Sequence, residues 1–161
     1  MIILGIDPGI GRCGWGIVEN DKSKLIVHDY GCIETKPNSE ISSRLKIIYD
    51  EVERIIKKYN PDEISIEELF FGANSKTAFA VGKARGVILL SAARAGIPIG
   101  IYTPLEVKMA VTGYGRADKN QIAQMVKVIL KLSSIPKFDD TTDALAIAIA
   151  HAFSSKIKSK L

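Results

Sequence analysis

The opening run, MIILGIDPGIG, constrains the fold more than any other stretch: the apolar residues Ile2, Ile3, Leu4 and Ile6 are ended abruptly by an acid, Asp7. A nearly unbroken apolar run of this length reads as a strand buried on both faces, as in layered α/β sheets. A carboxylate at the end of such a strand loses hydration unless something pairs with it. Pro8 and Gly9 then force a turn. Asp-Pro-Gly is also ordinary turn chemistry, so this stretch alone leaves Asp7 open between a turn acid and a catalytic or phosphate-contacting group.

The rest of the chain supplies the layers such a strand requires. Gly14 to Glu19 and Lys24 to Glu34 read as two further strands of an antiparallel meander, joined by the turn residues NDKS. Apolar residues at Leu45, Ile48, Val52 and Ile55 recur in steps of three and four, which predicts a helix from Ile41 to Tyr59 that Asn60 and Pro61 terminate. EISIEE, Glu63 to Glu68, is a short strand able to lie parallel to the first. A long Ala- and Gly-rich helix from Ser75 to Ala95 leads to a strand at Ile97 to Tyr102. Two helices follow, from about Lys119 to Leu132 and from about Asp140 to Ser155. The expected order is β-β-β-α-β-α-β-α-α, an α/β fold with a mixed five-stranded sheet and flanking helices.

Composition narrows the class. The length of 161 residues predicts one domain over 1–161, and the apolar share of 47% and charged share of 25% are those of a globular protein without low-complexity segments. The N-terminal apolar run breaks at Asp7 before signal-peptide length, and no segment approaches the ~20 apolar residues of a membrane span. A cytoplasmic location and no membrane partner are therefore expected. Cys13 and Cys32 lack metal-ligand spacing and read as small buried residues in a reducing compartment. The net charge of +4 permits a polyanionic partner, and bases cluster in KKY, VGKAR (Lys83 and Arg85) and the tail SSKIKSK.

Acids fall at three comparable places. Besides Asp7, Glu67 and Glu68 end the second parallel strand, where they would emerge at the same sheet edge as Asp7. DDTTDALAIAIAH places Asp140 and Asp143 on one face of the last helix, where capping and the helix dipole would also account for either acid taken alone. Their coincidence with Asp7 points elsewhere. Carboxylates brought together raise one another's pKa, and such a cluster persists at neutral pH when it binds a hard cation. All-oxygen ligation indicates Mg²⁺, with Mn²⁺ as a substitute. His151, eight residues beyond Asp143 and about 12 Å along the helix, is too far to join that ligand set. A pair of such ions is suited to phosphodiester hydrolysis, and with the basic surface the expected substrate is nucleic acid.

GIDPGIGRCGWGIV, IEELFFGAN, GKARGVI and DDTTDALAIAIAH, in this order over essentially the whole chain, resemble the RuvC-type Holliday-junction resolvases of bacteria, which have the ribonuclease-H-like fold. The resemblance implies a metal-dependent endonuclease that resolves four-way DNA junctions, with two Mg²⁺ ions per active site held by Asp7, Glu67, Asp140 and Asp143. It selects Glu67 over Glu68 and Asp140 over Asp139. It also implies an aromatic at the junction crossover, Phe70, and basic residues near the scissile phosphate, Lys108 and Lys119, the latter in a catalytic role. Lys83 and Arg85 are further candidate DNA contacts. A homodimer built on the small-residue helix around Gly82, Ala84 and Gly86 is implied, as is the RuvA–RuvB branch-migration complex as partner.

Three other readings compete. Actin-like and sugar-kinase ATPases begin with a similar strand and turn but need two such domains. Small putative ribosomal-RNA-processing nucleases have similar motifs, without the long FFGANSKTAFAVGKAR segment. A non-enzymatic basic nucleic-acid-binding module would bind DNA equally with and without Mg²⁺ and never cut.

Overall fold

A computed structural model describes residues 1–22, 24–68 and 75–158. The strands are β1 (Ile2–Asp7), β2 (Arg12–Asp21), β3 (Lys24–Glu34), β4 (Glu63–Glu67) and β5 (Ile99–Tyr102). The helices are α1 (Ile41–Tyr59), α2 (Ser75–Ala95), α3 (Pro104–Thr112), α4 (Lys119–Ile129) and α5 (Asp139–Lys158). One mixed sheet has the order β3-β2-β1-β4-β5, with β1 to β3 antiparallel and β1, β4 and β5 parallel.

Alternation along β1 sorts its side chains. Leu4 and Ile6 enter a core shared with Ile48, Val52 and Ile55 of α1 and Ala84, Ile88 and Ala92 of α2. Ile3 enters the opposite core, with Val107 and Val111 of α3, Ile122 and Val126 of α4, and Leu145 to Ala150 of α5. Asp7 therefore shares the α5-facing side with Ile3 and Gly5. On β4, Ile64 and Ile66 face α1 and α2, which leaves Glu63, Ser65 and Glu67 toward α5 and turns Glu68 the other way.

Helix α5 lies unusually close to the sheet. A Cβ on Gly14 would sit 1.8 Å from the Asp140 carbonyl oxygen, and one on Gly5 would sit 2.2 Å from that of Ala144. The Thr141 hydroxyl donates to the Gly31 carbonyl at 2.9 Å, which pins the start of α5 to β3.

Several sequence expectations are corrected. Helix α3 was not anticipated, although Thr103 caps it through a capping box with Glu106, Pro104 occupies its first turn and Gly113 closes it at φ 71°. Strand β5 starts at Ile99 rather than Ile97, because Pro98 has no N–H to donate and Ile97 closes the end of α2 by donating to the Ala92 carbonyl. Cys13 is buried, but Cys32 is only half-buried on the edge strand. Ala84 is fully buried against the chain's own core and is not available to a second copy, whereas Gly86 is exposed.

A comparison of two glycines checks the close approach. Gly14→Ala forces backbone against backbone and should destabilise by about 2–3 kcal/mol. Gly86→Ala meets nothing within 4 Å and should stabilise its helix by about 0.5–1 kcal/mol. Urea denaturation of the two variants reads both signs; a neutral Gly14→Ala contradicts the packing described.

Candidate acidic active site

The sheet and α5 bring the predicted acids to one end of the molecule. Ile6 pairs with Ile66 across the parallel β1–β4 ladder, so Asp7 and Glu67 are the next residues on neighbouring strands. Asp7 also stands opposite Gly14, the residue on which the Asp140 backbone rests. Asp143 lies one turn further along α5 and lines a cleft of about 490 Å³ with Glu67, Lys108 and Lys119. Glu67, Asp140 and Asp143 are half-buried, whereas Glu68 and Asp139 are exposed. Strand alternation and the seat of α5 thus supply a physical reason for preferring Glu67 to Glu68 and Asp140 to Asp139.

Their mutual electrostatics follow from this placement. Burial, followed by repulsion from Asp143, Glu67 and Asp140, raises the Asp7 pKa to about 7, and Lys119 only partly offsets this. Burial and Asp143 raise Glu67, opposed by Lys108 and Lys119. Asp143 is raised chiefly by burial, against the Lys119 ammonium 3.7 Å away. Three neighbouring carboxyls pushed above their ordinary ionisation make this end of the sheet a candidate functional site.

The donor chemistry fits a hard divalent cation: Asp7, Glu67, Asp140 and Asp143 offer oxygen only, and a cation would relieve the repulsion that helps raise Asp7, Glu67 and Asp143. Among the described residues no three His, Cys, Asp or Glu side chains already converge on one point. Backbone placement gathers these acids, and side-chain rotation would have to close them on an ion.

The basic candidates separate. Lys119, the first residue of α4, stands where the helix dipole disfavours a cation, and Asp143 lies across from it. Lys108 on α3 faces Glu67 across the cleft. Arg85 lines a smaller cleft with Asp7, Glu67 and Glu68, where among the described residues its buried Nε has no hydrogen-bond partner. Lys83 instead lies over the exposed Phe79 ring on the outside of α2, lining neither cleft. Phe70 lies outside the described residues. His151 is remote from the acids, bound to Glu63 at 2.5 Å and Tyr102 at 2.9 Å, in agreement with the spacing argument. Sequence reasoning missed the basic, aromatic rim of Arg12, Lys137 and Phe138 beside Asp140, because its members meet only in the fold.

The chain matches the family model for crossover junction endodeoxyribonuclease RuvC over residues 3–151. It is 51% identical over 161 residues to the crossover junction endodeoxyribonuclease RuvC of Desulfitobacterium hafniense, covering 100% of this chain and 98% of that one. Identity to the protein of the same name from Clostridioides difficile is 52% over 161 residues, covering 100% and 95% of the two chains. The structure of Thermus thermophilus RuvC in complex with a Holliday junction substrate superposes with a TM-score of 0.93 at 35% identity, covering 99% of this chain and 97% of that one.

The raised pKa of Asp7 fixes the sign of a stability experiment. An acid whose folded pKa of about 7 exceeds its ordinary value of 3.8 favours the fold fully below the unfolded pKa and loses that contribution as pH rises through about 7. In EDTA, Asp7→Asn should therefore stabilise the protein at pH 8, by an order of 2–4 kcal/mol, and by much less at pH 5. Chemical denaturation at both pH values reads the difference; equal effects contradict a buried, repelled carboxylate.

Proposed function

The chain belongs to the RuvC family of crossover junction endodeoxyribonucleases, and we propose that it resolves four-way DNA junctions in recombination and repair by paired, symmetric nicks. The observation that carries this reading is that β1, β4 and α5 bring Asp7, Glu67, Asp140 and Asp143 to one end of the sheet, where Glu67 and Asp143 line a cleft edged by Lys108 and Lys119. The four acids would hold divalent ions, Mg²⁺ in our reading, with Mn²⁺ able to substitute. Bound in a pair, such ions activate water and stabilise the leaving oxygen of an in-line displacement at phosphorus.

The protein's own groups orient the strand. Lys119 is exposed and only 3.7 Å from Asp143, so its ammonium can donate to a phosphate oxygen while partly balancing the acids. Lys108 does the same from the α3 side, and Arg85 offers a third donor beside Asp7. Water adds to phosphorus and the 3′ oxygen departs with a proton, leaving ligatable 5′-phosphate and 3′-hydroxyl ends. Phe70 is proposed to stack on an unpaired base at the crossover.

A four-way junction presents two equivalent strands about a two-fold axis, and a homodimer carries two sites related by the same operation. Phe79, Lys83, Gly86 and Leu90, spaced by four, three and four residues, form an exposed stripe on α2 that supports a self-complementary contact. We further propose a cytoplasmic setting, with the RuvA–RuvB branch-migration complex as partner. Among the described residues no helix is long and apolar enough to cross a membrane.

With a labelled mobile junction, Asp7→Asn, Glu67→Gln, Asp140→Asn and Asp143→Asn should each reduce cutting at least about a thousandfold in Mg²⁺ while retaining binding, an effect of about 4 kcal/mol on the barrier. Glu68→Gln and Asp139→Asn should stay within a few fold of wild type. Activity in EDTA, or inactivity of Glu68→Gln beside an active Glu67→Gln, contradicts the assignment. Phe70→Ala should impair resolution with little change in melting temperature, whereas core packing of that ring predicts a loss of about 3–5 kcal/mol.

A further inference from the structure

Lys108 and Lys119 edge the acids on the α3–α4 side only, yet a DNA strand crossing the site must leave on the other side as well. There, at the loop leading into α5, the Arg12 guanidinium lies 4.8 Å from the centroid of the Phe138 ring and the Lys137 ammonium 5.1 Å from it. Both cations are exposed and the ring is half-buried. Among the described residues neither cation has a carboxylate within ion-pair distance, including Glu34, the register partner of Arg12 on β3.

Two like charges held on one aromatic ring repel, and cation–π attraction at an exposed site offsets this by only about 0.5–1 kcal/mol per cation. An anion joining both would remove the conflict. The rim is also fixed relative to the acids. Arg12 opens β2 two residues before Gly14, on which the Asp140 backbone rests. The Phe138 carbonyl accepts from the Thr141 and Thr142 amides at 3.1 and 3.3 Å, so the ring is anchored to the first turn of the helix that carries Asp140 and Asp143.

We propose that Arg12 and Lys137, aimed by Phe138, bind the DNA phosphate backbone beyond the scissile phosphate, on the side opposite Lys108 and Lys119. The inference rests on the reading of the chain as a junction nuclease. The ring face is covered by the two cations, so its role is to position them rather than to stack on a base. The acids and the two basic rims then form a track: cations, carboxylates, cations. Phosphate contacts of this kind set register and affinity without carrying sequence information.

The test measures binding of a labelled four-way junction in EDTA as a function of salt, so that cutting plays no part. Each phosphate contact contributes about 0.9 to the slope of log affinity against log salt, which is roughly eightfold in affinity at 0.1 M salt. R12Q/K137Q should bind at least about eightfold more weakly at 0.1 M salt, with the slope reduced by about one or more. In Mg²⁺ the same variant should raise KM and leave kcat within about twofold. R12K/K137R, which keeps the charges, should retain the wild-type slope. An unchanged slope in R12Q/K137Q overturns the proposal, and so does an equal loss of slope in R12K/K137R, which would mark a structural role. The two readings fail separately. A wild-type protein that cuts no junction contradicts the nuclease reading, whereas the slope tests the rim whether or not cutting occurs.

Discussion

The seating of α5 on the sheet is the constraint from which the rest follows. Backbone meets backbone where Gly14 lies under Asp140 and where Gly5 lies under Ala144, and further along Gly100 lies under the His151 ring. A side chain at Gly14 or Gly5 would lift the helix, and one at Gly100 would displace the His151 ring. Leu145 to Ala150 are buried along its length, so hydrophobic burial holds the helix down with its N-terminal acids over the end of β1. His151, between Glu63 and Tyr102, ties the far half of α5 to β4 and β5. Main chain thus sets where Asp140 and Asp143 stand relative to Asp7 and Glu67, and side-chain rotation is left to close them on an ion.

That arrangement costs stability at the acids proposed to serve chemistry. Half-buried beside three other acids, Asp7 carries a carboxyl pushed up to about 7, so near neutral pH the protein is divided between protonating it and enduring the repulsion. A divalent cation would resolve the conflict in favour of the ionised form. Lys119 and Lys108 offset part of it without neutralising the cleft, and so remain able to turn toward a phosphate. The same logic of unsatisfied charge recurs at Arg85, whose buried Nε has no partner among the described residues, and at the Arg12–Lys137 pair on Phe138.

Much of this was legible in the sequence because it depends on period and punctuation. The apolar run of β1, the three-and-four spacing of α1 and its stop at Asn60 lead directly to elements with the expected bounds. The four acids were visible as strand ends and a helix start, and the resemblance chose between neighbours that strand alternation and helix seating then distinguish physically. Helix α3 was missed although its capping box, Thr103-Pro104-Leu105-Glu106, and its closing Gly113 are local signals. Ala84 was misread because a small residue in a helix looks the same whether it faces its own core or a partner. The rim of Arg12, Lys137 and Phe138 left no sequence signal, since residues more than a hundred positions apart meet there.

The central claim is that Asp7, Glu67, Asp140 and Asp143 behave as one cation-dependent centre. Side-chain carboxyl carbon NMR of Asp7, followed across pH in EDTA and again with Mg²⁺, tests it most directly. The account predicts a titration near 7 in EDTA that falls by about two pH units or more when the ion binds. An Asp7 that titrates in the ordinary carboxylate range in EDTA and does not respond to Mg²⁺ would contradict it.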